Sequence, residues 1–358
     1  MVGGPADRLR ALIQTRGPIP WSVVIQEALY GPAGFYTLGG GAGRGRDFLT
    51  SPEVGPLFGA VVARAVDHEW THRGRPDPWV VVEAGAGAGA LAAAVLDAGP
   101  ACVEALSYIA VEVSAPLRDA AAARLGSRAV VTELMAAGPF TGMILANELL
   151  DNLAFDVFAR TASGWDEIRV GPGLVEVSVP GPSEVAAELD RLAPAARVGV
   201  RVPRQTAARV WLRRALDSVE TGRVVVIDYA RSTAELAAAG QGGWMRTYRR
   251  GGPGGLALED LGAQDITTDV AVDQLALVSP PTRIWTQAEW LDGHGMADLE
   301  RDAAAAWRAG RSSVDLAALR ARSRVNEAAA LRDPAGLGSF TVLEWSKDAS
   351  TTTNPADL

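Results

Sequence analysis

The stretch WVVVEAGAGAGALAAAVLDAG, residues 79–99, decides how the chain is read. It opens with an apolar run rich in valine, passes through alternating glycine and alanine, and ends in an alanine-rich segment with apolar residues at helical spacing. That order reads as a buried strand, a tight turn and a helix. Similar short apolar runs recur at residues 108–113, 129–132, 142–146 and 224–228, mostly separated by helix-like segments. Such alternation predicts a parallel sheet with helices on both faces. Two regions break it. Residues 155–179 alternate apolar and polar around Ser163-Gly164 and Gly171-Pro172-Gly173, which predicts short antiparallel strands inserted after the fourth sheet strand. A glycine-rich stretch over 240–255 leads through alanine-rich helices to a last strand at 340–345. Upstream, Leu9, Leu12 and Ile13 and then Val23, Val24, Ala28 and Leu29 predict a helical prefix. After the glycine-rich segment 31–46, Ser51-Pro52-Glu53 marks a helix start.

The 358 residues carry 34 basic and 42 acidic side chains, a formal charge of −8, with 48% apolar and 21% charged content. One or two globular domains fit this length. The negative balance offers no broad footprint for a nucleic-acid backbone or an anionic lipid surface, so neither partner is expected. Cys102 is the only cysteine, which excludes an internal disulfide and a thiolate zinc cluster. With no signal-peptide core and no long apolar run, the expected location is cytoplasmic.

The chemistry concentrates at strand ends. Gly85, Gly87 and Gly89 let the backbone turn sharply and approach a ligand, and the following helix presents free N–H groups to it. With Ala90, Gly85 and Gly87 also satisfy the dinucleotide fingerprint, and Glu112 ends the next strand where a ribose-binding acid is needed, so the glycines alone do not choose a cofactor. Glu83 does: its carboxylate repels a pyrophosphate, whereas S-adenosylmethionine has no phosphate and carries an ammonium and a sulfonium. The fourth apolar run leads into Asn147-Glu148-Leu-Leu-Asp151-Asn152, whose acids and amides are expected in the same crevice. Carboxylates there suit a planar guanidinium acceptor, with Glu148 and Asp151 as candidates to orient it and help it lose a proton. His68-Glu69-Trp70-Thr71-His72 fits H-E-x-x-H, but a third ligand is lacking and Gly74-Arg75-Pro76 breaks the helix, so no metal is expected. A complete phosphate loop and a G-x-S-x-G elbow are both missing.

As an ordered set, GPAGFY (31–36), DFLTSPEVGPLFG (47–59), EAGAGAGAL (83–91), VEVS (111–114), ANELLDNLAFDVF (146–158), VVVIDYA (224–230) and DITTDV (265–270) resemble the MidA-like S-adenosylmethionine-dependent methyltransferases. That resemblance implies a class I methyltransferase fold: an α/β, Rossmann-like, seven-stranded sheet with its last strand antiparallel, an N-terminal helical extension and an inserted antiparallel β segment. It divides the chain into an extension with a cofactor-covering loop (1–76) and a core (77–350), with the insertion at about 155–220 and a substrate-side segment at about 240–300. It places the cofactor on Asp47, Thr50, Ser51, Glu53, Glu83, Gly85, Gly87, Gly89 and Glu112, and the reacting end on Asn147, Glu148 and Asp151. Mitochondrial members of the family dimethylate an arginine of a complex I subunit, so the resemblance implies a protein arginine methyltransferase acting on an arginine-containing protein. The rival readings are a non-catalytic S-adenosylmethionine-binding assembly factor of the same fold, a nicotinamide oxidoreductase and a zinc hydrolase. A homodimer is left open.

Overall fold

The computed structural model describes residues 3–40, 50–135, 138–249, 252–310 and 315–348. Its centre is a seven-stranded sheet of β1 (Trp79–Ala84), β2 (Leu106–Val111), β3 (Val130–Thr132), β4 (Phe140–Asn147), β5 (Val219–Asp228), β6 (Arg283–Thr286) and β7 (Thr341–Lys347). The spatial order is β6-β7-β5-β4-β1-β2-β3. β7 runs antiparallel to both of its neighbours, and the other pairs are parallel. The sheet agrees with the alternation read from the sequence, and its reversed last strand with what the family resemblance implies. β6 was not anticipated. It is a mostly exposed edge strand that pairs only with β7, so it lacks the buried apolar run by which a strand is recognised.

Helices close both faces. Val81 belongs to one apolar cluster and Val82 to the other, as expected for successive residues of a strand buried on both sides. On the first face, helix Pro56–His72 lies against helix Ala90–Asp97. A Cβ on Gly59 would fall 2.3 Å from that of Ala94, so the close crossing depends on the glycine. The second face is covered by helix Thr206–Ser218, whose Ala208, Leu212 and Ala215 are buried.

A second sheet stands beside the first. The inserted residues form strands Asp156–Thr161, Gly164–Gly171 and Val175–Pro180, all antiparallel, and Arg201–Arg204 pairs with the first of them. Ile19 and Pro20, in the break between helices Pro5–Arg16 and Trp21–Tyr30, pair with Val170 and Arg169. A separate apolar cluster containing Leu9, Trp21, Ile25, Phe155, Ile168 and Trp244 holds these helices to that sheet.

Strand register aligns the site. Ala84 lies opposite both Val111 and Ala146, and Ile227 lies opposite Asn147. The next residues, Gly85, Glu112, Asn147 and Asp228, therefore stand at neighbouring strand tips about 5 Å apart from strand to strand. The chain leaves β1 toward β2 and β3, then returns to β4 on the other side of β1, which opens a crevice at the carboxyl ends of β1 and β4.

Candidate active site

A cavity of about 950 Å³ fills that crevice. One side of it is the glycine turn. Gly85, Gly87 and Gly89 have φ of 72°, 55° and 74°, left-handed values that disfavour a Cβ. The amides of Gly85 and Ala86 donate to the Val111 carbonyl at 2.9 and 3.0 Å. Glu112 accepts from the amide of Gly87 at 2.8 Å through Oε2 and from that of Ser114 at 2.8 Å through Oε1. Burial raises the Glu112 pKa, and these amide hydrogen bonds oppose the rise. A Cβ on Gly87 would meet nothing within 4 Å, so the turn leaves open space at the point where its backbone borders the cavity. Glu83 accepts the Tyr108 hydroxyl at 2.7 Å, and burial pushes its carboxyl up to about 7 against that hydrogen bond.

The opposite side is the Asn147–Asn152 segment. Glu148 has a left-handed φ of 51°, a conformation that costs a non-glycine residue about 1–3 kcal/mol and is tolerated where surrounding structure enforces it. Its own amide donates to the Ile227 carbonyl at 2.8 Å. The carboxylate accepts from the Ser51 amide at 3.3 Å and from Asn147 Nδ2 at 3.1 Å. Burial, then the nearby Asp151, push it up to about 8. Asp228 at the tip of β5 accepts the amides of Leu150 and Asp151 at 2.9 and 3.2 Å through Oδ2, which ties down the 3₁₀ turn Leu150–Asn152. Asp265 accepts Asn152 Nδ2 at 2.9 Å and the Tyr36 hydroxyl at 3.1 Å. Tyr36 stacks on Tyr30, with ring centroids 5.4 Å apart. Asp151 is only 4% exposed, and its pKa is raised by burial and then by Asp228 and Asp265. Two buried acceptor atoms here, Asn147 Oδ1 and Asp151 Oδ1, have no hydrogen-bond partner among the described residues. Such atoms cost free energy unless a donor arrives.

Of the residues expected from sequence, Thr50, Glu53, Glu83, Gly85, Gly87, Glu112, Asn147 and Glu148 line this one cavity. Three do not. Gly89 opens helix Ala90–Asp97 in the left-handed conformation; Ser51 is fully buried and donates its hydroxyl to Gln287 at 2.9 Å; Asp151 lies behind the wall. Asp47 falls outside the described residues. Sequence reading missed Tyr30, Tyr36, Asp228 and Asp265. Asp228 carried a usable signal, an acid at the end of an apolar run like Glu83 and Glu112, whereas the tyrosines carried none because helix packing alone brings them here. Glu69 of the H-E-x-x-H match is buried between Arg73 and Arg223, with 2.8 Å to each guanidinium.

The lining fits S-adenosylmethionine. Arg214 is its one basic side chain among the described residues, against Glu53, Glu83, Glu112, Glu133, Glu148 and Asp217. A diphosphate would meet these acids, while a phosphate-free donor with two positive centres is compatible with them. The glycine turn supplies the open backbone cradle.

Comparison with known proteins agrees. A Burkholderia thailandensis protein whose crystal structure holds S-adenosyl-homocysteine superposes with a TM-score of 0.83 at 28% identity, over 97% of this chain and 92% of that one. The mitochondrial protein arginine methyltransferase NDUFAF7 of Xenopus tropicalis is 30% identical over 194 residues, 45% of each chain, and that of Homo sapiens 28% over 188 residues. The Drosophila melanogaster homologue is 43% identical over 95 residues, 26% of this chain and 22% of its own. The matches thus span less than half the length of these curated relatives. The expected cytoplasmic location is corrected: these relatives are mitochondrial, and a single cysteine does not distinguish one compartment from another. Residues 61–282 match the family model described as "Putative S-adenosyl-L-methionine-dependent methyltransferase". With that match across more than half of its length, and with this sheet order and cradle, the chain belongs to the S-adenosyl-L-methionine-dependent methyltransferase family.

Proposed function

We propose that the chain methylates an arginine side chain of a protein acceptor. The observation that carries this reading is Asn147 Oδ1, buried and without a hydrogen-bond partner among the described residues, beside Glu148 in the crevice that the glycine turn also lines, with the equally unpartnered Asp151 Oδ1 behind that wall. Their chemistry calls for a donor-rich, positively charged planar group, and guanidinium offers five N–H donors in a fixed fork. The names of the NDUFAF7 relatives support the same acceptor.

The bound donor supplies an electrophilic methyl carbon on a positively charged sulfur. In this reading the glycine turn receives its methionine portion, Glu112 accepts from its ribose hydroxyls with lone pairs left over from Gly87 and Ser114, and Thr50 and Glu53 wall it in. Glu148 and Asn147, which line the cavity, orient the acceptor so that one nitrogen faces the methyl carbon, Asp151 behind them adds negative charge, and the tyrosine pair borders the cation. As the N–C bond forms and the C–S bond breaks, the nitrogen releases a proton, which Glu148 is placed to accept.

Incubation with methyl-labelled S-adenosylmethionine and arginine peptides, followed by mass spectrometry, tests this. Methylarginine formed by the native chain and lost in Glu148→Gln supports the reading; label on another residue type, or none while the donor binds, refutes it.

A further inference from the structure

A second, open cavity of about 530 Å³ lies between helices Pro5–Arg16 and Trp21–Tyr30, walled by Leu9, Leu12, Val23 and Ala154, with the Arg8–Glu27 ion pair at its edge. It adjoins the reaction cavity at two points. Gln26, an exposed side chain, borders both, and Leu153 lines the first where Ala154 lines the second. Val23, Gln26 and Tyr30 occupy one face of helix Trp21–Tyr30, so that face runs as a track from the apolar cavity to the acidic crevice. The seven-residue separation of Val23 and Tyr30 corresponds to about 10 Å of helix, the reach of about three extended residues.

We propose that the acceptor polypeptide lies along this track in extended form, with a large apolar side chain about three residues from the reacting arginine seated between Leu12 and Val23. The exposed Gln26 amide, a donor and an acceptor at once, serves the peptide backbone where it crosses from one cavity to the other. The inference rests on the arginine-acceptor reading and adds to it a preference in the flanking sequence.

The test uses eleven-residue peptides with one central arginine in a glycine-serine background, carrying phenylalanine in turn at two, three or four residues on either side. Expected is a kcat/KM at least tenfold higher with phenylalanine at about three residues on one side than in the all-serine peptide. Val23→Glu and, independently, Leu12→Glu should reduce that ratio to below twofold, with retained S-adenosyl-homocysteine affinity showing that each variant is folded. Methylation without a flank preference, or a preference that survives in both folded variants, overturns the track and leaves the acceptor class standing. Donor binding with no transfer to any arginine peptide overturns the acceptor reading, and the track with it.

Discussion

The two sides of the cavity are assembled from very different lengths of chain. At the glycine turn, Gly87 and Glu83 find Glu112 and Tyr108 25 residues away, within one strand-turn-helix-strand unit. At the acidic side, Leu150 hangs from Asp228 across 78 residues, Ser51 reaches Glu148 across 97, and Asn152 meets Asp265 across 113. The first side places its left-handed residues at glycines, where the conformation is nearly free of steric cost. The second forces Glu148 into that conformation and gathers four carboxyls in poor solvent. A local unit thus suffices to build the glycine turn, whereas the acidic side, with Asp151 Oδ1 unpartnered among the described residues, is held in place by distant parts of the fold.

The contrast is sharpest if each side can be broken alone. Glu148→Gln keeps shape and a hydrogen-bond acceptor but removes the carboxyl that ionises above about pH 8; transfer measured by label incorporation at about pH 9 should fall by about 100-fold or more, with donor affinity changed less than twofold. A matching loss of affinity would show that the two sides are not separable. Gly87→Val fills the open cradle and should weaken S-adenosyl-homocysteine binding by about 100-fold in calorimetry, with circular dichroism still showing a folded chain; its left-handed φ adds about 1–2 kcal/mol of destabilisation. Native affinity in that variant would remove the turn from the donor site.

Smaller effects follow from the raised carboxyls. Glu83, with a pKa of about 7, gains its charge between pH 6 and 8. Donor affinity should therefore rise over that interval, and Glu83→Gln should remove the rise, leaving binding about tenfold weaker at pH 8. Glu148 holds its proton more tightly folded, at about 8, than unfolded, near 4.5. The stability this contributes is complete below the unfolded value and is lost as pH climbs through about 8. The Tm of the native chain should fall by a few degrees over that range, and the fall should be shallower in Glu148→Gln. A parallel decline in both would place the cause elsewhere.

Much of this was legible beforehand where the signal is local. The valine run, the glycine turn and the apolar strands ending in Glu112 and Asn147 each announce themselves within about ten residues, and the inserted hairpins carry alternation and turn residues of their own. β6 was hidden because an exposed edge strand carries no buried period, and nothing near Ser51 in the sequence shows that its hydroxyl is donated to Gln287, 236 residues away. Tyr30 and Tyr36 were invisible for the same reason.

By itself the sequence determined the sheet type, the place of the cradle and the acidic character of the crevice, since backbone conformation and strand burial are set by neighbouring residues. Only the tertiary structure decided which acids are occupied as structural acceptors, which oxygens are left without a donor among the described residues, and that Gln26 borders both cavities. Those outcomes depend on which distant groups are desolvated together, and hydrogen-bond satisfaction is a property of the packed whole.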